Sequence, residues 1–235
     1  MRSLHAKSGP FTERPYYELS DIENICSDEL QKVDLYPTEP TPIRIERFIE
    51  KRFGISPVYE DLPEGILGCI RFCSKGVEEI KISKSLIEEG DKVSERRIST
   101  SLAHEAGHGL LHTHLFALGL PSRSLFENEI VNTPAILCRQ GSIAGIGGKS
   151  NYDGRWWEFQ ANRAIGALLL PRSLVQKRIE EFLVPCGSMG IRSIEEKNRE
   201  VAIKAIADSF NVNPVVARIR IAEIYFRDNK NQLTF

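Results

Sequence analysis

Apolar residues recur three and four apart in residues 16–32 (YYELSDIENICSDELQK) and 42–53 (PIRIERFIEKRF), a spacing that lines one face of a helix, with the proline-rich DLYPTEPTP between them. ILGCIRFC (66–73) and VEEIKIS (77–83), separated by SKG, predict two short strands joined by a tight turn in an antiparallel sheet. A long helix is expected over residues 94–114. A second covers about residues 157–170 of WWEFQANRAIGALLLP, where Ala161, Ile165, Leu168 and Leu169 form the apolar run and Pro171 closes it. After Pro185 come two helical stripes, Val201, Ala205, Ile206 and Phe210, then Val212, Val216, Ile219 and Ile224. The turn from Asn211 to Pro214 between them predicts a helix-turn-helix-like pair with Asn211 at the left-handed position.

These elements describe an α+β fold, mainly helical, with a small antiparallel sheet. At 235 residues and 41% hydrophobic content the chain is long enough for one compact core and a small appendage. Composition shifts divide it into residues 1–41 (helix and proline-rich linker), 42–185 (main domain) and 186–235 (C-terminal helical segment). A formal net charge of -1 gives no general attraction to nucleic acid or membranes. No apolar run approaches the roughly 20 residues that span a bilayer, and MRSLHAKSGPFTERPYY lacks a signal-peptide core, so a cytoplasmic location is expected. Five scattered cysteines read as reduced thiols rather than a disulfide framework.

The densest chemistry lies in HEAGHGLLHTH, residues 104–114. On a helix His104 and His108 share one face a turn apart, so both imidazoles can reach a single zinc ion. Glu105 projects beside them, where a carboxylate can act as general base, which is the HExxH arrangement. His112 lies roughly 12 Å of helical rise from His104, too far to share the ion at about 2 Å from metal to nitrogen. A third ligand must come from elsewhere, and two positions offer one. His114 has the spacing of the metzincin pattern HExxHxxGxxH, but Leu111 stands where a chain-breaking glycine is needed, and nothing ties Met189 to a floor under the metal. Glu158 opens the second helix, with Asn162 one turn later on the same face to hydrogen-bond a ligand. Glu158 also suits the first turn of any helix. The favoured set is His104, His108 and Glu158 around Zn2+, with water in the fourth position.

HEAGHGLLH followed by WWEFQANRAIGALLLP resembles the ImmA/IrrE family of zinc metallopeptidases, whose pattern is HExxH, then E-x-x-A-N and an apolar run ending L-L-x-P. The resemblance extends from about Pro42 to about Ile224. It implies a zincin-like metallopeptidase domain with His104, His108 and Glu158 as zinc ligands and Glu105 as general base. It also implies a protein substrate, a helix-turn-helix repressor or another regulatory protein.

Residues outside the two motifs raise further expectations. In the glycine-rich 115–155 segment, GIGGKS is not a phosphate-binding loop, because Ile143 stands where that pattern needs glycine. Cys138 is a loop thiol that could occupy the open metal position, and Tyr152, Arg155 and His112 are candidates to stabilise an oxyanion. The arginines of SERRIST are expected to be solvated or to cover the sheet, and a sheet edge could hold substrate as an added strand. On the last helix Arg218 and Arg220 are available to DNA, but Glu223 and Asp228 offset them, so packing or substrate docking is favoured over a DNA contact. The competing class is a regulatory protein with a vestigial or structural metal site that binds a repressor or DNA through those helices.

Overall fold

The computed structural model describes residues 2–5, 13–88, 90–115, 135–139, 156–186 and 191–225. A two-stranded hairpin, β1 (Arg2–His5) and β2 (Glu13–Tyr16), leads into α1 (Leu19–Lys32). That helix starts where the Asp21 carboxylate accepts the Glu18 N–H at 2.9 Å, and it buries Ile22, Cys26 and Leu30 at the helical spacing of the sequence. α2 (Ile45–Phe53) buries Ile45, Phe48 and Ile49 and stops at Gly54, whose φ of 73° a side chain would resist.

β3 (Val58–Glu60), β4 (Ile66–Cys73) and β5 (Gly76–Ser83) follow, and β6 (Ala135–Arg139) completes a four-stranded sheet in the order β3-β5-β4-β6. The expected β4–β5 hairpin forms but turns through Ser74 and Lys75 alone, since Gly76 of the SKG turn pairs with Cys73 and opens the strand. The sheet is mixed rather than purely antiparallel. β3 runs parallel to β5 because the chain from Glu60 crosses to β4 before returning, a connection that leaves no signature in three residues. Ile70, Phe72, Ile80 and Ile82 are fully buried in the core.

A short α3 (Ser85–Glu88) precedes the long α4 (Lys92–Leu111), capped by the Asp91 carboxylate accepting the Ser94 N–H at 2.8 Å. α4 ends three residues before the expected limit of 114, with His112 as its cap residue. α5 (Trp156–Leu169), α6 (Arg172–Arg178), the hairpin β7 (Leu183–Cys186) and β8 (Ile191–Ile194), α7 (Glu196–Ser209) and α8 (Pro214–Ile224) complete the described chain. Buried residues from segments 1–41, 42–185 and 186–235 belong to a single hydrophobic cluster. Among the described residues no helix is long and apolar enough to cross a membrane.

The C-terminal pair turns as expected, with Asn211 at φ 50°. Its buried stripe is rotated from the predicted one. Ala202, Ile203 and Ala207 join Ile206 and Phe210 inside, and Ala217 and Ile221 join Val212, while Val201 and Ile219 are exposed. The rotation turns Arg220 inward, to 1% exposure, rather than leaving it available to DNA. Its Nε donates to the Leu170 carbonyl at 3.0 Å, and its Nη1 donates to Glu23 at 2.8 Å and to Glu223 at 3.2 Å. Arg172 donates to both oxygens of the same Glu23 at 2.7 and 3.0 Å. Arg96 of SERRIST is not solvated; its guanidinium bridges α4 to Asn211, Ala207 and Asp208.

Burial alone would raise the Glu23 carboxyl, but hydrogen bonds and charge from Arg172 and Arg220 hold it below its ordinary 4.5. A depressed carboxyl contributes stability that is complete above 4.5 and is lost as pH falls through the lower folded value. Arg220→Met should therefore cost about 3 kcal/mol in urea unfolding at neutral pH, the low end for breaking a buried ion pair because Arg172 still holds Glu23. The difference from wild type should shrink below pH 4.5. Equal urea midpoints at neutral pH would show that the clamp contributes nothing.

Candidate metal centre

α4 crosses the core, and its stretch from Thr100 to Gly109 is buried throughout. His104, Glu105, His108 and His112 are all completely inaccessible to solvent, an arrangement tolerated only where polar groups are satisfied by partners. The three histidines lie one above another at intervals of four residues, with ring centroids 4.8 Å and 5.1 Å apart.

Gly107, on the turn between His104 and His108, lets α5 approach. A Cβ there would lie 2.7 Å from the Ala164 Cβ and 3.2 Å from the Ala161 carbonyl oxygen, so α4 and α5 touch backbone to backbone. At that separation two ridges of α5 meet the histidine row. Glu158 and Asn162 face His104, and Trp156 and Gln160 face His112, with the Trp156 ring edge-on to the His112 imidazole at 5.6 Å. Residues four apart share a helix face, so each ridge is one turn of α5.

The hydrogen bonds fix where the ring protons are. The Pro15 carbonyl can only accept, so the Gln160 amide donates to it at 2.8 Å and leaves Gln160 Oε1 facing His112 Nε2 at 3.0 Å. His112 Nε2 must carry the proton, and its bare Nδ1 then accepts from His108 Nδ1 at 2.9 Å. His104 donates from Nδ1 to Asn162 Oδ1 at 3.1 Å. Both rings are neutral where burial decides. Burial and the neighbouring His104 and His112 hold His108 well below the usual range. Burial pushes His112 down to about 3 against the opposing bond to Gln160, with His114 and His104 pushing the same way as burial.

In the neutral form of each ring, donation from Nδ1 leaves Nε2 bare, and the Nε2 atoms of His104 and His108 face one another at 3.1 Å. The Glu158 carboxylate completes the cluster, Oε2 lying 3.2 Å from His104 Nε2 and Oε1 3.6 Å from His108 Nε2. Two lone pairs and a carboxylate aimed at a common point repel one another unless a cation lies between them. Two ligands at about 2.0 to 2.1 Å from a tetrahedral ion stand roughly 3.4 Å apart, close to the separations here. This buried His-His-Glu group, with its ligand atoms all within 4.8 Å of one another, could hold a metal ion.

Among the described residues that group contains Glu158 and not His114, which is partly exposed one turn beyond it. The helix does end at Leu111, but His112 keeps the row in register through its bond to His108, and residues 113–115 are helical again. His112 is no oxyanion candidate, because both ring nitrogens are engaged inward. Tyr152, Arg155, Met189 and the GIGGKS loop lie outside the described residues, as does the side chain of Cys138.

Glu105 stands apart from the ligand group and packs against the sheet. A Cβ on Gly68 of β4 would meet Glu105 Oε1 at 2.6 Å, so a side chain there would push this carboxylate from its place against the strand. Gly68 pairs with Cys138 of β6 on its other side. Burial, then the Glu105 charge, pushes the Cys69 thiol up to about 11, so it stays protonated. Gly68 and Gln160 escape the sequence reading, although each carries a signal. A glycine inside a strand pattern marks a close approach, and a glutamine inside an apolar helix needs a buried partner.

No protein-family model matches the chain, and no curated protein matches it either. The class assignment therefore rests on the site, a buried two-histidine, one-carboxylate group beside a second buried carboxylate.

Wild type should hold about one divalent ion per chain by elemental analysis after dialysis without chelator. Glu158→Ala should lose it and His114→Ala should keep it; the reverse pattern would move the third ligand to His114. Gly107→Ala should wedge α4 from α5 and lower stability by about 1–3 kcal/mol, read by thermal unfolding, together with weaker metal uptake.

Proposed function

We propose that the protein is a zinc-dependent endopeptidase acting on a protein substrate. The observation that carries the reading is the convergence of the Nε2 atoms of His104 and His108 with the Glu158 carboxylate, beside a further buried carboxylate, Glu105. Two imidazoles and one carboxylate with a position left open are the donor set of catalytic rather than structural zinc. The resemblance of HEAGHGLLH and WWEFQANRAIGALLLP to ImmA/IrrE metallopeptidases supports the same assignment and points to a helix-turn-helix repressor or related regulator as substrate.

When bound, zinc would supply a Lewis acid and lower the pKa of a coordinated water toward about 7. Glu105 accepts the proton of the attacking water and returns it to the leaving amine, the role of a carboxylate that neighbours the ligands without joining them. Its position against Gly68 fixes it beside the sheet, along whose edge an extended substrate backbone would pair. The DNA-binding alternative loses one of its two arginines, since Arg220 is buried in the clamp.

The test is incubation of the zinc-loaded chain with a proteome-derived peptide library and with helix-turn-helix repressor proteins, new termini being identified by mass spectrometry. Wild type should produce zinc-dependent cleavage, and Glu105→Gln should keep its zinc while losing cleavage by at least about a hundredfold. Equal products from both proteins would remove Glu105 as the base, and no zinc-dependent products from wild type would remove the peptidase reading.

A further inference from the structure

Beyond the ligands and the base, α4 and α5 bury a third histidine and a glutamine that the hydrolytic chemistry does not use. Their hydrogen bonds form one directed chain from a main-chain oxygen to the metal group. It begins at the Pro15 carbonyl on β2, which cannot donate. It passes through Gln160 (2.8 Å), His112 (3.0 Å) and His108 Nδ1 (2.9 Å), and ends at the bare Nε2 of His108. Each link determines the next, because a neutral imidazole carries one ring proton and an amide oxygen none. His108 would otherwise be free to take either tautomer, and the one protonated at Nε2 would present a proton to the metal position in place of a lone pair.

We propose that His112 is a positioning residue. Held by Gln160 and the Pro15 carbonyl, it fixes His108 in the Nδ1–H tautomer and so presents Nε2 to a divalent cation. The inference rests on the metal-binding reading above and adds to it a second row of residues that sets ligand orientation. It also gives a use to the N-terminal strand, whose carbonyl lies more than ninety residues before the histidine it orients. The His104 side has a shorter equivalent in Asn162, so the two ligands are oriented from opposite ridges of α5. Such partners of ligating histidines typically contribute a factor of 10 to 100 in metal affinity.

Long-range proton–nitrogen correlation spectra of the nitrogen-15-labelled full chain should show His108 protonated at Nδ1 and His112 at Nε2, a signature that packing alone does not set. In zinc competition against a chelator, His112→Leu should weaken binding about 10- to 100-fold, since His108 Nδ1–H then faces a methyl group. His112→Gln, whose side-chain oxygen can still accept that proton, should recover most of the loss, and Gln160→Leu should weaken binding in the same direction as His112→Leu. If His112→Leu does not fold, the wild-type spectrum and the other two variants decide. A wild type that binds zinc while His108 is protonated at Nε2, or that loses no affinity in His112→Leu and Gln160→Leu, overturns the proposal alone. A wild type that takes up no zinc overturns the metal reading and this proposal with it.

Discussion

The contact between α4 and α5 at Gly107 is the constraint from which the rest of the site follows. With no side chain at that position, Ala161 and Ala164 of the second helix seat against the backbone of the first, and Glu158 is carried to within 3.6 Å of both ligand histidines. A side chain there would clash with Ala164 and Ala161 and push the helices apart, drawing the carboxylate away from the histidines. Helix packing, usually a source of stability alone, here sets ligand geometry.

Burial then decides the chemistry of what the contact assembles. Burial opposes charging His108 and His112, and the hydrogen bonds to Asn162 and His112 engage the Nδ1 atoms of His104 and His108, so that both Nε2 atoms face the carboxylate. In the neutral form of both rings, two lone pairs and a carboxylate then point at one place. Filling that place with a cation removes their repulsion, which couples metal binding to the stability of the two helices that supply the ligands.

The C-terminal helices act on this site as a buttress. α8 reaches α1 and the end of α5 through Arg220, while Arg96 ties the N-terminal part of α4 to the α7–α8 turn. Arg220 is spent on the Glu23 and Glu223 carboxylates and the Leu170 carbonyl, so a segment that has the outline of a DNA-binding motif lacks one of the two cations its last helix offered. Buried arginine pairs of this kind specify position more than they stabilise, because the cost of desolvating the charges offsets much of their attraction.

The local elements were legible because their periodicities are local. The β4–β5 hairpin, the helices around HEAGH and WWEFQAN, and the left-handed Asn211 all follow from spacing and turn chemistry within a few residues. The two histidines and the glutamate that share the site were legible for the same reason, as motifs on two helix faces. What spacing cannot express is which faces meet and how closely. The parallel placement of β3, the inward turn of Arg220, the fit of Gly68 against Glu105 and the line of bonds from Pro15 to His108 each join residues far apart in the chain. Only the tertiary structure decides such contacts, because the direction of a hydrogen bond and the room for a Cβ depend on a neighbour that the local sequence does not contain.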